Sequence, residues 1–206
     1  GVVHHVYRDG PAQHTIRVSV RDEDGIHPEL AAVTVGIDNR APVINALGGA
    51  TSGREGERVK LTADVTDPAG PADLLVFTWD FGDGTPPVRG FNLDEVYHTY
   101  ADDGVYTLSL VVVDDDGAEA RREREVAVAN VAPTIVVSGP PVIDEGRTYT
   151  LDFGIITDPG DDTVSQWIVH WGDGTHGSYF QPLNAAHIYP DGPESFTIRV
   201  ELIDED

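Results

Sequence analysis

Trp79-Asp80-Phe81-Gly82-Asp83-Gly84-Thr85 recurs as Val169-His170-Trp171-Gly172-Asp173-Gly174-Thr175, and this pair of segments decides how the chain is divided. Each time an alternating strand runs into an Asp-Gly turn. Outward from it, His98-Thr99-Tyr100 returns as His187-Ile188-Tyr189, with an earlier counterpart in His5-Val6-Tyr7. Asp114-Asp115-Asp116-Gly117 is echoed by Asp22-Glu23-Asp24-Gly25 and Asp204-Glu205-Asp206, and Asp67-Pro68 pairs with Asp158-Pro159. Glu55-Gly56 matches Glu145-Gly146, and Asn39-Arg40-Ala41-Pro42 matches Asn130-Val131-Ala132-Pro133. A fixed period of about 90 residues marks an array of one small module, with linkers near residues 38–42 and 129–133. The expected organisation is the last third of a module over 1–40, a whole module over 41–131, and a module lacking its last strand over 132–206. With no initiator Met, signal peptide or apolar span, the chain reads as an excerpt of a longer polypeptide.

Within the modules, period-two alternation dominates. Val59, Leu61, Ala63 and Val65 alternate with Lys60, Thr62, Asp64 and Thr66, and Leu75, Phe77, Trp79 and Phe81 with Val76, Thr78 and Asp80, the signature of half-buried strands. Tyr106, Leu108, Leu110 and Val112 form a third such series. His14, Ile16, Val18 and Val20 are its counterpart in the first repeat, and Phe196, Ile198, Val200 and Leu202 in the third. Gly, Pro and Asp clusters interrupt every ten or so residues and no helical stripe persists, so the fold class is all-β, a series of antiparallel sandwiches. Trp79 and Trp167 are placed on a central strand, where a buried indole anchors sandwich packing.

Composition narrows the function. The 13 basic and 36 acidic residues leave a net charge of −23, the wrong sign for neutralising nucleic-acid phosphates or binding anionic membranes. The chain has no cysteine, so a module of this size must hold its core without disulfides. Gly82-Asp83-Gly84 and Gly172-Asp173-Gly174 are not phosphate loops, because no helix pattern follows and no Lys is placed to reach a phosphate. They read as tight turns. His5, His98 and His187 recur at one point of the module, as a packing or hydrogen-bonding role in every copy would require, and their spacing is not that of zinc ligands. No thiol and no Gly-x-Ser-x-Gly turn is present.

The clustered carboxylates point to calcium or to solvated turns. In a sandwich the loop after the second strand, the turn between the last two strands and the incoming chain lie at one end. That geometry brings Asn39, Asp67, Asp73, Asp114 and Asp116 together at the first repeat boundary. At the second it gathers Asn130, Asp158, Asp161, Asp162, Asp204 and Asp206, facing Asp102 and Asp103. Several hard oxygen ligands in flexible loops are what Ca²⁺ needs for six to eight coordination, whereas Asp in a turn also caps backbone amides on its own account.

Trp79-Asp80-Phe81-Gly82-Asp83-Gly84, His98-Thr99-Tyr100, Gly104-Val105-Tyr106-Thr107 and Val113-Asp114-Asp115-Asp116-Gly117 together resemble the signature of the PKD (polycystic kidney disease) repeat, an immunoglobulin-like β-sandwich. The third repeat departs from it, with His170-Trp171 where the second has Asp80-Phe81. The resemblance implies tandem extracellular or cell-surface modules that act as spacers or adhesive segments, are often appended to secreted hydrolases, and carry no catalysis of their own. The expected function is a non-catalytic spacer or adhesive stalk, rigidified by calcium at the junctions. The alternative is an accessory region that presents a face to polysaccharide or protein, with Tyr179 and Phe180 the adjacent aromatic pair. A surface protein or polysaccharide is the expected partner class. Strand exchange between chains through the incomplete end repeats is a further expectation, with Ala31 to Ile37 as the donated edge.

Overall fold

The computed structural model describes residues 1–205. Its strands are β1 (Ala12–Asp22), β2 (Gly25–Ile37), β3 (Val43–Gly49), β4 (Ser52–Arg54), β5 (Arg58–Thr66), β6 (Val76–Asp80), β7 (Val88–Phe91) and β8 (Glu95–Thr99). They continue with β9 (Gly104–Val113), β10 (Glu119–Ala129), β11 (Thr134–Ser138), β12 (Thr148–Thr157), β13 (Gln166–His170), β14 (His176–Tyr179), β15 (Asn184–Ile188) and β16 (Arg199–Ile203). A single 3₁₀ turn, Gly70–Ala72, is the only helical element among the described residues. The fold is an all-β immunoglobulin-like sandwich architecture.

Two compact units divide the chain. The first takes Gly1–Thr51, Val59–His98 and Val105–Val126; the second takes Ser52–Arg58, Thr99–Gly104 and the chain from Ala127 onward. The loops 52–58 and 99–104, which belong to the second repeat by sequence, therefore cluster with the third.

In the first unit β3-β5-β8 form one sheet and β10-β9-β6-β7 the other. Alternation along β5 and β6 sends Val59, Leu61, Phe77 and Trp79 inward, and Leu108, Leu110, Val112 and Val126 are buried with them. The Trp79 indole donates to the Leu93 carbonyl at 2.9 Å, which satisfies its one polar atom. β1 and β2 pair with each other as an antiparallel hairpin. Ile16, Val18 and Val20 stay 41–49% exposed on it, so the alternation of the first repeat does not become a buried face.

In the second unit β11-β12-β15 and β14-β13-β16 are the two sheets, and the last residues of β10 pair in parallel with β4. Leu151, Val169, Trp171, Ala185 and Tyr189 form its core, flanked by the half-buried Phe153, Phe196, Ile198 and Val200. The predicted series 196–202 becomes strand only from Arg199. Pro190 and Pro193 just upstream have no N–H to give a ladder, and Phe196 reaches the core from irregular chain by stacking on Tyr189 at 4.5 Å. The Tyr189 hydroxyl donates to the Trp171 carbonyl at 2.8 Å.

The repeated turn has one geometry in both units. Gly82 and Gly172 have φ of +80° and +88°, and a Cβ would come within 2.5 Å of the Thr107 carbonyl or 2.8 Å of the Thr197 carbonyl, so only glycine fits. Asp83 Oδ1 accepts from the Thr85 amide at 3.1 Å and hydroxyl at 2.6 Å, as Asp173 does from Thr175 at 2.9 and 2.6 Å. The other oxygen of each holds a histidine, His98 at 2.6 Å and His187 at 2.7 Å. His98 lies flat on Phe81 at 3.8 Å and His187 on Trp171 at 4.8 Å. The recurring histidine thus clamps turn to core.

Candidate metal centres

The loop after β5 is shaped by its own carboxylate. Asp67 Oδ1 accepts from the Ala69 amide at 2.8 Å, an Asx turn that leads into the 3₁₀ turn at Gly70–Ala72 and delivers Asp73 to the interior. Between β9 and β10, Asp114 Oδ1 accepts from the Ala118 amide at 2.7 Å, and its Oδ2 accepts from Asn39 Nδ2 at 2.9 Å, which fastens the incoming linker. Asp67, Asp73 and Asp114 each bring an oxygen within 4.8 Å of the others. With Ca²⁺–oxygen bonds of 2.3–2.6 Å, two oxygens on one ion lie up to about 5 Å apart, so the three oxygens are near enough to share one cation.

Burial makes the case sharper. Asp73 is 5% exposed and neither of its oxygens has a hydrogen-bond partner, while Asp67 keeps its Oδ2 buried and unpaired. A buried carboxylate without donors costs several kcal/mol by general estimate and calls for a counter-charge. Burial pushes the Asp73 carboxyl up to about 6, helped by the negative charges of Asp67, Asp115, Asp9 and Asp114. Asp116 is held above its ordinary range by desolvation and by Asp9, Asp115 and Asp114. It sits with Asp73 and Asp9, their oxygens again within 4.8 Å, rather than in the Asp67 triad.

The second unit repeats the arrangement. Asp158 Oδ1 accepts from the Gly160 amide at 3.0 Å, as Asp67 does from Ala69, and its Oδ2 is buried without a partner. Asp158, Asp162 and Asp204 bring oxygens within 4.8 Å, and Asp162 also joins Glu55 and Asp102. Asp161 is exposed and contributes its amide instead, donating to the Ala101 carbonyl at 2.8 Å. Asn130 is exposed, and Asp206 lies outside the described residues.

Glu55 and Asp9 are the cluster members that the sequence pattern did not single out. Their signal was the recurrence of Glu55-Gly56 with Glu145-Gly146 and of Asp9-Gly10 with Asp191-Gly192, which reads equally as turn chemistry. Glu55 is 2% exposed; its Oε1 accepts from the Val131 amide and its Oε2 has no partner. A Cβ on Gly160 would come within 2.7 Å of the Glu55 carboxyl carbon, so a larger residue there would push this side chain aside.

Among known proteins, residues 39–128 match the family model of the PKD domain. The collagenase ColQ1 of Bacillus cereus (strain Q1) is 33% identical over 91 residues, 44% of this chain and 9% of that protein, so the likeness spans a small part of the collagenase's length. The PKD1 domain of Vibrio anguillarum Epp is 30% identical, covering 44% of this chain and 96% of its own, with a TM-score of 0.35. Fibronectin(III)-like modules of Clostridium thermocellum CbhA are 19% identical, covering 80% of this chain and 86% of theirs, with a TM-score of 0.34. No helix among the described residues is long and apolar enough to cross a membrane.

Proposed function

We propose that this chain, in which residues 39–128 are a PKD domain, is a non-catalytic spacer of a secreted or surface protein, stiffened by Ca²⁺ at the boundaries between repeats. The observation that carries the reading is Asp73, buried with both carboxylate oxygens unpaired between Asp67 and Asp114. Calcium would take Asp67, Asp73 and Asp114 in the first unit and Asp158, Asp162 and Asp204 in the second. In the first it would tie the incoming linker through Asn39, which already holds Asp114. Each ion would replace mutual repulsion with attraction and fix the loops that carry the ligands. Mg²⁺ is a poorer fit, since it demands a tight octahedral shell and gives up water reluctantly. A large extracellular hydrolase is the natural setting, because the 91-residue likeness occupies only 9% of a collagenase. The test is limited proteolysis of the whole chain. Calcium should protect the linkers at 38–42 and 129–133 against cleavage, and equal cutting in calcium and in chelator would defeat the reading.

An accessory binding role has one observation of its own. Phe91 ends β7 and Phe180 follows β14, they are 70% and 74% exposed, and each precedes a residue in the left-handed region, Asn92 and Gln181. Tyr179 packs against the core instead. Co-sedimentation with insoluble collagen and cellulose tests this reading. Retention that is lost in Phe91→Ala and Phe180→Ala would establish a binding face, and its absence in the unmodified chain would remove one.

A further inference from the structure

The carboxylates at each boundary fall into two overlapping triads rather than one. In the first unit Asp67, Asp73 and Asp114 share Asp73 with Asp9, Asp73 and Asp116. In the second, Asp158, Asp162 and Asp204 share Asp162 with Glu55, Asp102 and Asp162. Asp9 and Asp102 come from the same place in the repeat, each two residues after the Tyr of the His-x-Tyr segment, whereas Asp116 lies in the turn between β9 and β10 and Glu55 in the turn between β4 and β5. Each outer triad therefore adds carboxylates of the preceding repeat to those of the following one.

We propose that each boundary holds a second divalent cation, outer to the first, on Asp9, Asp73 and Asp116 in the first unit and on Glu55, Asp102 and Asp162 in the second, with Asp73 and Asp162 bridging the two ions. Two observations besides acidity support it. Both oxygens of Asp73 are buried and unpaired, so one can serve each ion. Glu55 is buried with Oε2 unpaired, held beside Gly160 by the Oε1 contact from Val131 and by the Asp161 amide bond to Ala101. Hard carboxylate oxygens select Ca²⁺ over softer metals. A carboxylate bridge between two cations lets the first ion organise a ligand of the second, so occupancy at the outer site follows the inner.

This inference rests on the calcium reading above, and ion counting separates the two. Equilibrium dialysis of the whole chain against Ca²⁺, followed to the millimolar range of extracellular modules, should give two ions per boundary. Asp9→Asn and Asp116→Asn, both at exposed positions, should each remove one ion and leave the fold intact by circular dichroism. Glu55→Gln keeps the Val131 acceptor and should likewise remove one, as should Asp102→Asn. Asp73→Asn should remove two. One ion per boundary, unchanged by Asp9→Asn and Glu55→Gln, would overturn the outer sites while leaving the inner ones standing. No bound ion would overturn both.

Discussion

The second and third repeats build the same turn on different cores. Asp83 and Asp173 hold Thr85, His98, Thr175 and His187 with distances that agree within about 0.2 Å, yet His98 rests on Phe81 and His187 on Trp171. Around that shared clamp the packing differs. The core of the second repeat includes Leu61, Trp79, Leu108, Leu110, Val112 and Val126 with no accessible surface, and its indole is bonded. In the third, Val169 stands where Trp79 would, the buried Trp167 lies two residues earlier with Nε1 unpartnered, and Phe196 and Ile198 reach in from irregular chain. The clamp is a local device that tolerates exchange of the ring beneath it, whereas core quality is set strand by strand.

The largest effect should come from truncating the better core. Trp79→Ala should cost about 3–5 kcal/mol, the usual range for a buried aromatic, whereas Val169→Ala at the equivalent position removes two methyl groups and should cost well under half of that. Hydrogen exchange resolved to β9 and β16 measures both. Equal losses would mean that the third repeat's core is the more sensitive, atom for atom, and would reverse the contrast.

Next in size is the indole contrast. Trp79→Phe breaks a satisfied hydrogen bond and leaves the Leu93 carbonyl without it, and should cost about 1–3 kcal/mol in urea unfolding. Trp167→Phe removes a donor that was already unpaired, so lost area and relieved desolvation offset each other, and the change should stay under about 1 kcal/mol. A Trp167→Phe cost as large as that of Trp79→Phe would show that the Trp167 indole is bonded in solution.

The clamps themselves should behave alike. His98→Ala and His187→Ala should each cost about 1–2 kcal/mol, from a charge-assisted hydrogen bond and a stacked ring, and should agree within about 0.5 kcal/mol. A marked inequality would make the ring identity, Phe81 or Trp171, decisive.

The smallest effect is on pH dependence. Hydrogen bonds from the Thr175 hydroxyl and amide, with a further contribution from His187, draw the Asp173 carboxyl down to about 2. Burial pushes Asp83 up, but the bonds from Thr85 and His98 outweigh it and hold it below the ordinary range. A carboxyl depressed on folding stabilises above its unfolded value near 4, and the contribution is lost as pH falls through the folded value. Stability should therefore decline from about pH 4 toward pH 2, and Asp173→Asn should flatten that limb. An acid limb unchanged in the variant would remove the clamp from the acid response.

The repeats, the strand alternation and the place of the Asp-Gly turns were legible in the sequence because they are local: period two and positive φ leave direct marks. The grouping of Asp67, Asp73 and Asp114 was reachable from sandwich topology, which puts those loops at one end. Asp9 and Glu55 were not, since each belongs to the preceding repeat's turn and only the folded chain shows which carboxylates it brings within one ion's reach. Asp161 shows the converse. Its neighbour Asp162 joins the carboxylate clusters while the Asp161 amide bonds the Ala101 carbonyl, a difference of one residue that composition cannot register. The late start of β16 was hidden in the same way, because alternation from Phe196 onward looks like strand whether or not the backbone pairs.

Thermal melting of the unmodified chain and of Asp73→Asn, each in saturating Ca²⁺ and in chelator, most directly tests the proposal that the buried, unpaired carboxylate of Asp73 ligates a cation. Because Asp73 is raised to about 6, its ionised form opposes folding above that pH when no cation is present. In chelator near pH 7.5 the variant should therefore melt higher than the unmodified chain. Calcium at about a hundred times its dissociation constant should then stabilise the unmodified chain by about 2.7 kcal/mol per independent site, and the variant's first boundary should gain little. A variant that melts lower than the unmodified chain in chelator, or that responds to calcium just as strongly, would contradict the account.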